Sequence, residues 1–350
     1  NDVIIDATFN DSEISTNDLN VFYNEFGRDQ TIILDTDFDG ALNNFRTSNT
    51  RLATSNTTIQ GSYTFSNLLK GADAFSINSS NHNIQTSYYD LRRFMPRILG
   101  DVLPNQLKDI GTVSFRGNTT LTASQLITNS DINTGVGSAK ADIELGNITD
   151  FDNAYYNGNV VLNGLNLGKL AGTISLGKVT ADLTIEGRGF TQKTVSTLIE
   201  GTISSFNFEG YEYKNIEVTG TLKDPVFNGN LSIDDPNLKL DFKGLVDVSK
   251  EFNQYDFEAD VEYAELNNLN LIKRDSVSVF AGRVVVDMDG TSINDAVGTI
   301  SFNETFYQTA DEDFFFADFE ITSSFEEEER IIAINSPDII TGNIRGRFLI

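Results

Sequence analysis

Residues 227–248 read FNGNLSIDDPNLKLDFKGLVDV, and they alternate. Phe227, Leu231 and Ile233 share one parity, while Leu238, Leu240, Phe242, Val246 and Val248 share another. Between them stand Asn228, Asn230, Ser232, Lys239, Asp241 and Lys243. A period of two over this length marks strands with one apolar and one solvated face. The pattern recurs in IQGSYTF (Ile59, Gly61, Tyr63, Phe65) and VTADLTIEG (Val179, Ala181, Leu183, Ile185). It is cleanest in YDFEADVEY (Tyr255, Phe257, Ala259, Val261, Tyr263) and returns in NIRGRFLI (Ile344, Gly346, Phe348, Ile350). At ordinary strand and loop lengths the chain holds roughly two dozen strands. Every one of them needs a cover for its apolar face.

Turn chemistry predicts how these strands join. A hairpin closed by Lys223–Val226 pairs Leu222 with Phe227, Val218 with Leu231 and Ile216 with Ile233. A second, closed by Asp234–Asn237, pairs Ile233 with Leu238 and Leu231 with Leu240, and sets Gly229 opposite Phe242 and Phe227 opposite Gly244. A third, over Ser249–Gln254, pairs Val248 with Tyr255, Val246 with Phe257 and Phe242 with Val261. In this register the apolar residues of all four strands share a face, and a one-residue slip destroys the agreement. A two-residue Gly177-Lys178 loop adds a further hairpin, pairing Leu176 with Val179 and Ile174 with Ala181.

Helix is scarce. In TSYYDLRRFMPRILGDVLPNQL, the residues Leu91, Phe94, Met95, Ile98, Leu99, Val102 and Leu103 follow helical spacing. Ser87 is placed to cap the N-terminus, and Pro96 and Gly100 divide the segment into two short pieces. A weaker candidate is TQKTVSTLIEG, with a helix over 191–199. Helices this short cannot cover so many strands. The expected fold is all-β, a long antiparallel sheet that covers itself as a sandwich, a barrel or a bent groove, in one continuous unit over 1–350 with a helical insertion at 87–109.

Composition removes several functions. With no Cys and one His, the chain lacks a disulfide frame, a Cys nucleophile and the ligands of a zinc site. That histidine, His82, lies in the polar run NSSNHNIQTS and reads as a loop or strand-end residue, with no G-x-S-x-G elbow for a triad. A net charge of −26 opposes nucleic acid and anionic lipid surfaces. No apolar run is long enough for a spanning helix. A start at Asn1 without Met, and an end inside a strand pattern, suit a segment of a longer protein.

The remaining motifs read as surface. DTDFDG at 35–40 opens like an EF-hand loop, but its twelfth position is Arg46 where a bidentate Glu is needed. As a strand it puts Leu34, Phe38 and Leu42 inward and Asp35, Asp37 and Asp39 outward. DMDG at 287–290 repeats the design, with Val284, Val286 and Met288 inward. EEEER at 326–330 reads as a solvated acidic turn. Arg92, Arg93 and Arg97 form a basic cluster expected to pair with the acidic surroundings. No catalytic carboxylate pair or phosphate loop stands out, so the chain is read as a non-enzyme without cofactor or metal.

Four stretches carry a family likeness: TSYYDLRRFMPRILGDVLPNQLKDIGTVSFRGNTT, YYNGNVVLNGLNLGKL, GYEYKNIEVTGTLKDPVFNGNLSIDDPNLKLDFKGLVDVS and ADVEYAELNNLNL. In their order they resemble the TamB family of the AsmA-like group, in its Bacteroidetes branch. The resemblance implies a sheet curled into an elongated, apolar-lined groove that crosses the periplasm, anchored in the inner membrane by a segment outside this chain. It implies movement of phospholipid to the outer membrane, support of outer-membrane protein assembly, and an Omp85-family partner. Phospholipid acyl chains would then touch Val179, Leu183, Ile185, Ile216, Val218, Phe227, Leu231, Ile233, Leu238, Leu240 and Phe242. The same face continues through Val246, Val248, Tyr255, Phe257, Val261, Tyr263, Val284, Val286, Met288, Ile344 and Phe348. Leu91, Phe94, Ile98 and Leu99 would close the groove from the helical segment. Two dozen strands at about 4.8 Å each would extend on the order of 100 Å. The competing readings are a module that receives client strands by β-augmentation and a structural, adhesin-like β protein with a dry core.

Overall fold

Alternation becomes strand along most of the chain in a computed structural model. It describes all residues except 1–2, 23, 71–73, 100–104, 151, 192, 224, 249–252, 275, 293 and 348–350, and except the side chains of 22, 98, 99, 105 and 106. Phe348 therefore lies outside the described residues, as do the side chains of Ile98 and Leu99. The described residues form twenty strands, all antiparallel to their neighbours, with only short helices. The number falls below two dozen because the strands are long, reaching fourteen residues in Asp313–Glu326. Contacts divide the chain into two units, Asn1–Phe190 and Thr191–Ile350.

The first unit opens with β1 (Ile4–Ser15), β2 (Thr31–Ala41), β3 (Asn44–Ala53), β4 (Thr58–Ser66) and β5 (Ser76–Ser87). It continues with β6 (Thr112–Thr122), β7 (Gln125–Thr134), β8 (Gly137–Gly146), β9 (Tyr155–Asn166) and β10 (Leu176–Arg188). Each strand pairs with the next, which makes a ten-strand meander. Among the described residues no ladder joins β1 to β10, so the sheet is open. Leu176 to Arg188 is one strand paired with β9, so no hairpin turns at Gly177-Lys178. The pairing Val179–Leu165 leaves no room for a turn two residues earlier, and Ile174 is fully exposed. Leu42 is exposed too, because it sits in the β2–β3 turn beyond the last inward position.

The helices of this unit follow strands one, five and nine: α1 (Thr16–Phe22), α2 (Tyr88–Phe94), α3 (Pro96–Leu99) and α4 (Leu167–Ala171). In a meander those strand ends lie at one end of the sheet. Ser87 caps α2 by accepting the Asp90 N–H at 3.2 Å, and Pro96 starts a separate piece, as its missing donor requires. A 3₁₀ turn, Asn105–Ile110, packs against α4. Phe94 is buried with its ring 5.6 Å from Phe26 in the β1–β2 connection, and Leu91 is half-buried. Two of the three arginines of this segment meet neutral groups instead of the expected carboxylates: Arg92 donates to the Tyr88 hydroxyl at 3.1 Å, and Arg97 to the Asn24 carbonyl.

The second unit is a meander of β11 (Ser196–Phe208), β12 (Tyr211–Lys223), β13 (Val226–Asp235), β14 (Leu238–Val248) and β15 (Asn253–Glu265). It runs on through β16 (Ser278–Gly290), β17 (Val297–Thr309), β18 (Asp313–Glu326), β19 (Glu329–Ser336) and β20 (Ile340–Gly346). The expected helix over 191–199 is absent from the described residues there. A tight turn at Thr191–Val195 leads into β11, where Thr197 faces Leu222 and Ile199 faces Gly220. The β-branched Thr197 and Ile199 gain more from a sheet neighbour than from an isolated helical turn.

Candidate functional site: the apolar face of each sheet

Register decides which side chains meet. Leu222 faces Phe227, Val218 faces Leu231 and Ile216 faces Ile233, as the Lys223–Val226 turn dictates. The next two hairpins differ from the expected register by two residues. Ile233 pairs with Leu240, Leu231 with Phe242, Gly229 with Gly244 and Phe227 with Val246. Val246 then pairs with Tyr255, Gly244 with Phe257 and Phe242 with Ala259.

The cause of the first shift is Asp235. Its carboxylate accepts the Tyr211 hydroxyl, the Asn237 N–H at 2.8 Å and the Lys214 N–H at 3.0 Å. Held in this way and 2% exposed, Asp235 stays in the ladder opposite Leu238 and leaves a two-residue Pro236-Asn237 turn. A shift of two preserves the face, because side chains repeat every second residue. Phe242 and Val261 therefore lie on the same side.

Rings cover glycines as expected of such a sheet, though in other pairs. Phe257 faces Gly244, where φ is 144° and a Cβ would come within 2.5 Å of the Phe257 Cα, so no side chain fits. The rings of Phe227, Phe242 and Phe257 follow one another at 6.2 and 5.2 Å.

The residues expected on the apolar face are largely there. Val179, Ile216, Val218, Ile233 and Val286 are buried. Leu183, Ile185, Phe227, Leu231, Leu238, Leu240, Phe242, Val246, Tyr255, Phe257, Val261, Val284 and Met288 are half-buried. Three positions depart from the expectation. Val248 and Ile344 have the right parity but are more than half exposed, Val248 as the last residue of β14 and Ile344 on β20, the last strand of the meander. Tyr263 is on the wrong side: a bulge between Val261 and Tyr263 puts it opposite Lys239, and Ala264, 3% exposed, takes the inward place opposite Leu238.

Each sheet curls. In the second unit Tyr255 and Phe257 of β15 line a cavity of about 640 Å³ together with Ile332 and Ile334 of β19. Four strand spacings on a flat sheet separate such residues by about 19 Å, so sharing one cavity requires curvature. Met288, Ile300 and Ile321 complete its apolar wall. A neighbouring aromatic hollow of about 950 Å³ is lined by Phe280, Phe302, Tyr307, Phe314, Phe316 and Phe319. In the first unit Phe9, Phe38, Phe45, Tyr63, Phe65 and Ile84, from β1 to β5, share a cavity of about 510 Å³. Burial there pushes the Tyr63 hydroxyl up to about 12.

The opposite face is wet. Arg283 pairs with Glu258 and reaches Asp260 at 3.8 Å, and Lys239 meets Glu262 at 3.5 Å. Asp35 accepts the Asp11 N–H at 2.7 Å and Arg51 at 3.2 Å, which holds its carboxyl below the usual range. Asp37 meets Thr8 and Asn49. Two of the three DTDFDG carboxylates, Asp35 and Asp37, are thus engaged with neighbouring strands.

Two inward polar residues escaped the sequence reading. His82 is neither a loop nor a strand-end residue: it sits within β5 at 2% exposure, stacked on Phe115 with ring centroids 4.5 Å apart. The Ser79 hydroxyl lies 3.0 Å from its Nδ1 and that of Ser130 3.5 Å from its Nε2, and burial depresses its basicity. Arg330 closes the EEEER turn, whose Glu326, Glu327 and Glu328 are exposed as expected, yet Arg330 itself is 3% exposed on the cavity wall. Its Nε and Nη2 donate to the Ser323 hydroxyl at 3.1 and 3.0 Å, and its Nη1 has no partner among the described residues. A signal existed: Arg330 has the parity of Ile332 and Ile334. The four glutamates before it hid that parity. Comparisons with protein-family models, with curated proteins and with solved structures returned no match.

Proposed function

We propose that this chain is a lipid-carrying segment of a cell-envelope protein of the TamB kind, in which acyl chains cover part of the apolar sheet face. The observation that carries the reading is that face itself: aligned over successive strands, curled around cavities, and half-buried where a second layer of protein would bury it. Each acyl CH₂ that leaves water for this face contributes about 0.8 kcal/mol. The carboxylate-rich outer face keeps a long sheet soluble and discourages edge association. Among the described residues no helix is long and apolar enough to cross a membrane. Periplasmic placement, an inner-membrane anchor outside this chain and an Omp85-family partner belong to the same proposal, through the sequence resemblance.

The test is a pair of neighbouring substitutions. Leu240 is half-buried on the apolar face and Asp241 is exposed on the other. An arginine in apolar surroundings costs about 2.5–3.5 kcal/mol, which added to a barrier slows transfer by about two orders of magnitude. Leu240→Arg should impair lipid exchange between the membranes at equal protein level, and Asp241→Arg should not. Equal transport by two folded variants would remove the conduit reading. Strand-directed crosslinks to nascent outer-membrane barrels, in protein free of lipid, would favour β-augmentation instead.

A further inference from the structure

Resting on the lipid-carrying reading, we infer that the cavity between β15 and β19 is a headgroup site for a zwitterionic diacyl phospholipid, with Arg330 receiving the phosphodiester. The guanidinium lies on the wall of the 640 Å³ cavity at 3% exposure. Its contacts are the Ser323 hydroxyl, the Ala296 carbonyl at 3.4 Å and the ring of Phe325 at 5.8 Å, all uncharged. No carboxylate pairs with it among the described residues, although the chain carries 51 Asp and Glu against 25 Lys and Arg. In so acidic a protein a buried cation that meets no carboxylate is suited to receive an anion, and among the described residues Nη1 is a donor without an acceptor.

The rest of the cavity selects the ligand. Tyr255, Phe257, Met288, Ile300, Ile321 and Ile332 suit acyl chains, so the anion must be attached to hydrocarbon. The net charge of −26 opposes a headgroup with uncompensated negative charge. Phosphatidylethanolamine meets both conditions.

The experiment is native mass spectrometry of the chain with palmitoyl-oleoyl phosphatidylethanolamine, with diacylglycerol and phosphatidylglycerol of the same chains, and with palmitate. The wild-type protein should prefer phosphatidylethanolamine to diacylglycerol by about tenfold, the scale of one charge-assisted hydrogen bond. Arg330→Met should abolish that preference while diacylglycerol still binds. Equal wild-type binding of phosphatidylethanolamine and diacylglycerol overturns the headgroup site and leaves the conduit standing. A preference for palmitate, or no discrimination against phosphatidylglycerol, also overturns it. Failure to bind any lipid removes the conduit and the site together. The selectivity of the wild-type chain decides the matter even if a variant fails to fold.

Discussion

The inward face of β5–β7 and that of β15–β19 face the same physical problem with different chemistry. In β5–β7 the inward polar groups satisfy one another. Thr128 lies 2.8 Å from Thr119 and 2.7 Å from Ser130, which approaches His82, which in turn meets Ser79. Thr57 and Thr86 form another such pair at 2.8 Å. In β15–β19 the face is aliphatic and aromatic around a single guanidinium whose hydrogen bonding is incomplete. A closed hydroxyl network gives neutral polar groups a reason to be buried and needs no ligand. An incomplete charged site is stable only at a cost that an incoming group can relieve.

The largest effect should come from removing a ring that both packs and lines. Phe257→Ala uncovers Gly244 and breaks the contact with Phe242, and should cost about 3 kcal/mol, somewhat less if lipid fills the space. Urea unfolding followed by circular dichroism checks it, and a loss below about 1 kcal/mol would mean that the face is already open to solvent at Phe257.

Cutting the hydroxyl network comes next. Thr128→Val leaves Thr119 and Ser130 short of a partner and should cost about 1–2 kcal/mol. Arg330→Met, by contrast, removes a buried charge without a counter-ion and should leave lipid-free stability unchanged or higher by about 1 kcal/mol. Hydrogen exchange in β7 and in β19 reads the two separately. If Arg330→Met destabilises its strands as much as Thr128→Val does its own, the contrast between the two faces is broken.

Titration sharpens the comparison with smaller effects. The depressed His82 is bound neutral in the fold, so its contribution to stability is present above about pH 6.5 and is lost as pH falls through the lower folded value. His82→Gln should flatten that part of the stability profile of the first unit. At alkaline pH the two units again differ in cause. Burial alone raises Tyr63 to about 12, whereas burial and the Asp235 carboxylate raise Tyr211 to about 12. Both contributions are complete below pH 10 and vanish toward pH 12. Asp235→Asn should lower the ionisations of Tyr211 and Tyr213, both raised in part by that carboxylate, and leave Tyr63 where it is, as followed by tyrosinate absorbance.

Much of the candidate site was legible because a strand has only two faces. Phe227, Leu231, Leu240, Phe242 and Val261 kept their common side even though two hairpins paired two residues away from expectation. Loop length was less legible, since it turned on Asp235, a carboxylate whose partners come from another strand. The bulge before Tyr263 was also invisible, because nothing in YDFEADVEYAE interrupts the alternation.

By itself the sequence determined the class, the antiparallel order of neighbours and the identity of the apolar face, since all three follow from local period, turn residues and face parity. Tertiary structure alone decided where the two ten-strand units divide, how far each sheet curls, and which polar residues turn inward. Those depend on contacts between strands far apart in the chain. Val179 and Val248 show the same alternation, yet one is buried and the other is 52% exposed. Arg330 and Arg345 stand on successive strands, yet Arg330 enters the cavity wall while Arg345 pairs with Glu326 and Glu329 in water. Burial is a property of what lies across the groove, and no local pattern records it.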